Sequence, residues 1–260
     1  MKTLNVVGPG AVDLVDRLVA RLDGRVATVE TLPETAARDT DASAAYGLST
    51  DGSWIGAGDG ETLDGLLDSL TPDYDVALTV GFADARLPTV AVADAEAAGE
   101  IRHTVAEAVE TDLDPILDVV DDLEPRITLE SLVRRAKASP QADRSGAIAT
   151  FTGRVRVKDG EDDTPTTHLE FEKYEDVAAD RMQTIRSDLE AREGVFEVLM
   201  HHRTGVIGEG EDIVFVVVLA GHREEAFDTV EDGINRLKDE VPIFKKESTT
   251  DEEFWIHEKA

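Results

Sequence analysis

The sequence predicts two domains of different class: an α/β domain with a mainly parallel sheet over residues 1–125, and an α+β domain over residues 126–260. Three observations predict this. In the first half, short apolar runs alternate with amphipathic stretches, the pattern of βα units. In the second half, closely spaced strand-like runs are interrupted by two long helical stretches. The charge balance also changes between the halves, from 26 acidic against 7 basic residues in 1–125 to 30 against 19 in the remainder. A length of 260 residues with 41% apolar side chains suits two ordinary domains. The junction falls in the acidic stretch Asp118–Pro125, where the proline favours extended chain before it.

Taken in order, Leu4–Val7 reads as a short apolar strand, followed by the turn Gly8-Pro9-Gly10. Ala11–Leu22 reads as an amphipathic helix with Val12, Val15, Leu18, Val19 and Leu22 on one face, stopped by Gly24. Val26–Val29 is a second strand, Leu63–Leu70 a helix with a turn at Pro72, and Val76–Val80 and Val90–Val92 are further strands. Glu96–Glu110 reads as a helix. In the second half, Leu129–Ala138 is helical and Ala147–Val157 is a strand. His168–Tyr174 alternates, with Leu169 and Phe171 on one face. Val177–Glu193 is a helix ended by Gly194. Val195–His201 and Ile213–Ala220 are strands, the second apolar on both faces and therefore central. Glu224–Val241 is a helix with Phe227, Val230, Ile234, Leu237 and Val241 along one stripe. Pro242 ends it, and Phe244–Thr249 and Phe254–His257 read as short strands.

Composition narrows the chemistry. The net charge of −30 disfavours binding to a phosphate backbone. Acidic residues run along the whole chain and only 8 of the 26 basic residues are lysine, which suits solubility at high salt better than an acidic partner-binding tail. No apolar run reaches the roughly 20 residues of a bilayer span, and the N-terminus reads as a strand and not a signal peptide, so a cytoplasmic protein is expected. With no cysteine, any sulfur chemistry requires sulfur carried by a partner.

The strand, glycine turn and helix at Gly8–Gly10 could cradle a phosphate in principle. There is, however, no lysine between Lys2 and Lys137, and Asp13 stands where a dinucleotide site needs a small residue, so the residues favour a plain tight turn. His201-His202 point to opposite faces of a strand end, which suits structural or surface roles better than a metal site. His222-Arg223 opens a helix directly behind a buried strand. Positive charge there opposes the helix dipole, which suggests either anion binding or chance.

The lysines are the sharpest signal. Lys238, Lys245 and Lys246 fall within nine residues of a chain that has eight in all. Charge complementation at a helix C-terminus and protection of a strand edge are the alternatives to a catalytic role. Arg154 and Arg156, two apart on a strand, point to one face and could join His222, Arg223, Lys238 and Lys245 in one cationic pocket for a phosphate or carboxylate. In such a setting a partly buried lysine can donate or accept a proton.

At these residues the sequence resembles the catalytic (large) subunit of molybdopterin synthase. The matching stretches are Ser145-Gly146-Ala147, Phe151-Thr152-Gly153-Arg154-Val155-Arg156, His202-Arg203-Thr204-Gly205, Gly221-His222-Arg223 before Ala226-Phe227, and Leu237–Glu247 with Trp255 beyond, in order across about residues 126–260. The resemblance implies an enzyme that converts cyclic pyranopterin monophosphate to molybdopterin by inserting two sulfurs. Each sulfur comes from the C-terminal thiocarboxylate of a small ubiquitin-like partner, with no cofactor or metal, in a heterotetramer built on a dimer of the large subunit. By matched position it places Lys238 near the reactive carbonyl of the partner's tail and gives Lys245 acid–base steps. It gives Arg154, Arg156, His222 and Arg223 substrate binding, and Lys246 and Glu247 complete the pocket. A non-catalytic pterin-binding scaffold of the same pathway is the alternative. The first half is similar, on Leu4–Pro9, Tyr74–Phe82 and Leu87-Pro88, to the molybdopterin-guanine dinucleotide biosynthesis protein B group of P-loop GTPases. It lacks that group's P-loop lysine and hydroxyl, so the resemblance implies a degenerate P-loop-like domain.

Overall fold

The computed structural model describes residues 1–32, 43–158, 160, 164–249 and, as backbone, 253–256. The chain divides into two compact units, Met1–Ile127 and Thr128–Ala260.

The first unit contains β1 (Lys2–Val7), α1 (Ala11–Val19), β2 (Val26–Glu30), β3 (Ala44–Leu48), β4 (Trp54–Gly58), α2 (Leu63–Leu70), β5 (Val76–Val80), β6 (Thr89–Val92), β7 (Ile101–Val105) and α3 (Asp114–Asp122). Five of these strands form one sheet in the order β2-β5-β1-β6-β7, with every pairing parallel. The middle strands β1, β5 and β6 are almost wholly buried, which is why they read as unbroken apolar runs. The one amide among them, Asn5, is fully buried. It accepts from the Thr79 hydroxyl at 2.9 Å and donates to the Phe82 carbonyl at 3.0 Å, so its polarity is satisfied.

The structure corrects two expectations here. Residues 96–110 are not a helix: Ile101–Val105 form the edge strand β7, paired with β6. The face of α1 is also rotated. Its buried residues are Ala11, Leu14, Val15 and Leu18, while Val12 and Val19 are exposed, because the stripe that starts at Ala11 reaches the sheet. Three elements were unread in the sequence: the β3–β4 hairpin, and α3, whose Pro115 sits in its first turn and whose Ile116 and Val120 are buried one turn apart.

The turn after β1 serves close packing. Gly8 has φ 107°, and a Cβ there would lie 2.4 Å from the Val92 carbonyl oxygen. Gly10 has φ 76°, and a Cβ there would lie 2.8 Å from the Ala108 side chain. Both positions therefore require glycine for packing.

The second unit contains α4 (Leu129–Lys137), β8 (Ala147–Arg154), β9 (Thr166–Lys173), α5 (Glu175–Glu190), β10 (Val195–His202), β11 (Gly205–Gly208), β12 (Asp212–Ala220), α6 (Arg223–Glu240), β13 (Ile243–Thr249) and β14 (Glu253–Ile256). Its strands make two antiparallel sheets, β10-β12-β8 and β11-β9-β13-β14. The expected central strand is β12, buried from Ile213 to Ala220. α6 packs on β8 and β12, α5 on β10 and α4 on β12. The buried stripe of α6 is Ala226, Thr229, Val230, Gly233, Ile234 and Leu237. Phe227, expected on that stripe, is 62% exposed. His257, at the end of the expected last strand, lies outside the described residues.

Candidate active site

The junction of β12 and α6 is built by glycines. The Gly221 amide donates to the Gly194 carbonyl at 2.8 Å, and the Gly146 amide donates to the carbonyls of Ala220 at 3.1 Å and Gly221 at 3.2 Å. A Cβ on Gly146 would stand 2.6 Å from the Gly221 carbonyl oxygen. Only glycine allows this approach, and it fixes where the chain turns into α6. His222 is the N-cap of that helix, in extended conformation, with no side-chain capping bond. Arg223 follows at the first helical position, and both side chains are exposed. Glu224 and Glu225 in the first turn suit the dipole; the charge of Arg223 does not.

Lys238 lies in the last turn of α6, exposed, directly after the buried Leu237. Seven residues on, past the turn at Val241-Pro242, Lys245 sits on β13 with its side chain 29% exposed. Its neighbours across the sheet are Phe171 on β9 and Ile256 on β14. Paired residues share a face, so Lys245 and Glu247 lie on the face of the buried Leu169 and Phe171. The Lys245 ammonium is 3.8 Å from Glu247 Oε2. The other oxygen, Glu247 Oε1, accepts from the Thr166 hydroxyl at 2.5 Å. Lys246 alternates to the opposite face, where it stands 3.8 Å from the Glu170 carboxylate. The structure therefore groups Lys245 with Glu247 and sets Lys246 apart.

The arginines are arranged differently from the expectation of one strand face. β8 ends at Arg154, whose Nε donates to the Gly210 carbonyl at 3.0 Å and stands 3.4 Å from Asp212 Oδ1. Val155 is buried and its backbone closes onto Glu211 and Gly210, so Arg154 and Arg156 are exposed on either side of it. Arg154 is thus held toward the β11–β12 turn, and Arg156 lies beyond the strand.

His201 and His202 occupy opposite faces of β10 and meet different rings. His201 stacks on Phe215 at 6.4 Å, and His202 meets Phe171 edge-on at 4.9 Å. Burial pushes both imidazoles down to about 4, and Lys173 adds to this at each. His202 Nδ1 lies 2.7 Å from the Arg203 carbonyl, a contact that places the proton on Nδ1. His202 thereby packs against Phe171, the residue that Lys245 pairs with on β9. Among the described residues no group of His, Asp or Glu could hold a metal ion, and no helix is long and apolar enough to cross a membrane. Thr166 and the Phe171–His202 contact were missed in the sequence. Both depend on pairings between strands, and a threonine in the run Thr164–Leu169 carries no signal of its own.

The second unit is thus an α+β domain with Lys238 at the end of α6, Lys245 on the following strand, and His222 and Arg223 at the start of that helix. The MoaE protein family matches residues 124–240. A probable molybdopterin synthase from Haloferax volcanii is 61% identical over 265 residues, covering 100% of both chains. A molybdopterin synthase catalytic subunit from Pyrococcus abyssi is 34% identical over 124 residues, which are 48% of this chain and 82% of that one. A solved MobB protein homologue from Bacillus stearothermophilus is 22% identical, with a TM-score of 0.36, matching 46% of this chain and 99% of its own. The chain belongs to the molybdopterin synthase family, and its role lies in molybdenum cofactor biosynthesis.

Proposed function

We propose that residues 126–260 transfer sulfur to cyclic pyranopterin monophosphate from the thiocarboxylated C-terminus of a small ubiquitin-like partner. The product is the dithiolene of molybdopterin, and the partner's tail is left as a carboxylate. The observation that carries this reading is the placement of Lys238 and Lys245. They flank the Val241-Pro242 turn, one exposed in the last turn of α6 and one half-buried on β13. An exposed ammonium suits the reactive carbonyl of an incoming tail, and a half-buried one suits proton transfer to and from the pterin. His222, Arg223 and Arg156 attract the substrate phosphate, Arg154 supports them from the β11–β12 turn, and Lys246 draws anionic groups to the other face. The absence of cysteine agrees with an external sulfur donor. The reaction takes place in the cytoplasm, on a dimer of this chain with one small subunit at each end. Residues 1–125 form a P-loop-like domain without nucleotide turnover, in keeping with the lack of any lysine between Lys2 and Lys137.

The test is a reconstituted reaction with the thiocarboxylated partner and cyclic pyranopterin monophosphate. Lys238→Ala and Lys245→Ala should each lower the rate of dithiolene formation by about 100-fold or more, the scale of a lost acid–base group, with unchanged unfolding midpoints. Wild-type rates in both variants would remove the mechanism. Tight pterin binding with no turnover by the wild-type complex would favour a scaffold instead.

A further inference from the structure

The irregular pairing of β9 with β13 points to a positioning residue: we infer that Thr166, acting through Glu247, holds the Lys245 ammonium in its working place. The inference rests on the reading of Lys245 as a catalytic group. It starts from the register. Ser248 pairs with His168, but the next residue of β13, Thr249, pairs with Thr166, so Thr167 is an extra residue on β9. Strict alternation would put Thr166 on the face of His168 and Glu170. The bulge shifts the phase by one and brings Thr166 to the face of Thr249 and Glu247. Thr166 is only 5% exposed, and its amide is fixed by the Val157 carbonyl at 2.8 Å. The displaced Thr167 hydroxyl donates to the Ser248 carbonyl at 2.9 Å, which holds the bulge in place.

The consequence lies in the Glu247 carboxylate. Its Oε1 accepts from the Thr166 hydroxyl at 2.5 Å, within the range of a hydrogen bond to a charged oxygen, and its Oε2 faces Lys245 Nζ at 3.8 Å. Both oxygens are directed by protein groups, and the side chain is 19% exposed. A carboxylate held this way is poorly suited to receive a phosphate and well suited to orient a cation. A lysine has four rotatable bonds and little intrinsic preference for one position. An anion clamped from the neighbouring strand supplies that preference before substrate arrives.

The experiment uses the complex with its thiocarboxylated partner. In Thr166→Val, kcat for dithiolene formation should fall about tenfold with KM within twofold of wild type. Thr166→Ser, which keeps the hydroxyl, should restore kcat to within twofold. In the intact complex, acetylation of the Lys245 amine, followed by mass spectrometry with Lys238 as internal reference, should quicken in Thr166→Val. If Thr166→Val does not fold, Glu247→Gln decides by the same kcat and acetylation readings. A wild-type kcat in the folded variant, or a serine variant as slow as the valine one, overturns the inference. Lys245→Ala run in parallel separates the two ideas: if it reacts at the wild-type rate, the catalytic reading itself fails. If it is inactive while Thr166→Val is normal, only the positioning role is lost.

Discussion

Two adjacent histidines show how burial sets chemistry at the residue scale. His201 and His202 are each pushed from 6.5 to about 4, chiefly by loss of water, with Lys173 adding to it. A folded-state value below the unfolded one means the unfolded chain takes up protons that the folded chain refuses. Stability therefore falls as pH drops from about 6.5 towards 4, and the loss levels off once the folded form titrates too. Each imidazole could contribute on the order of 3 kcal/mol, and the neighbouring pair less than twice that. Protonating the carboxylates acts the other way below about pH 5, by relieving repulsion in a chain of net −30. The difference between proteins isolates the histidines. In denaturant titrations at pH 7 and pH 5, His201→Phe/His202→Phe should lose less stability than wild type between the two. Equal losses would mean that the rings titrate normally in the folded chain.

At the scale of elements, the glycine junction at the start of α6 matters most, because the position of His222 and Arg223 depends on it. Gly146→Ala puts a Cβ 2.6 Å from a backbone oxygen, which cannot swing away as a side chain would. The variant should lose about 2 kcal/mol in denaturant unfolding and raise KM for the pterin more than it lowers kcat. Unchanged stability would show that β8 slides past β12 freely. The same scale shows what the sequence could reveal. The strands β1, β5, β6 and β12 were legible because strands buried on both faces leave unbroken apolar runs. The α6 helix, Lys238 in its last turn and Lys245 on the next strand were legible from local spacing and Pro242. Residues 96–110 were misread because Ala and Glu favour helix locally, whereas β7 forms by pairing with β6 and buries only Val105. The acidic run before Pro125 hid α3, whose fully buried residues are Ile116 and Val120. The site followed the same division. The separation of Lys246 from Lys245 follows from strand alternation. The Thr166–Glu247 bond joins residues 81 apart and needs the bulge on β9, which no local pattern encodes.

For the whole molecule the governing quantity is charge. With 56 acidic and 26 basic residues, folding concentrates repulsion that the unfolded chain spreads out. The ion pairs that offset it are mostly exposed, such as Arg21–Asp114 at 2.9 Å and Arg236–Asp188 at 3.0 Å, and pairs of that kind contribute about 1 kcal/mol at most. Salt acts on the remainder, since the screening length shrinks from about 10 Å at 0.1 M to about 3 Å at 1 M. The unfolding midpoint should therefore rise by about 5 °C or more as potassium chloride goes from 0.1 M to above 1 M. The rise should not be uniform along the chain. Residues 1–125 hold 26 acidic groups against 7 basic ones, while the remainder holds 30 against 19, so the first unit carries the greater uncompensated charge. At low salt it should unfold first, and the two transitions should draw together as salt is added. Calorimetry across the salt series, with hydrogen exchange to assign each transition, checks this. A neutral osmolyte such as sucrose serves as the control, because it favours burial without screening charge. If sucrose reproduced the whole effect, or the second unit melted first at low salt, charge repulsion would not be what limits stability.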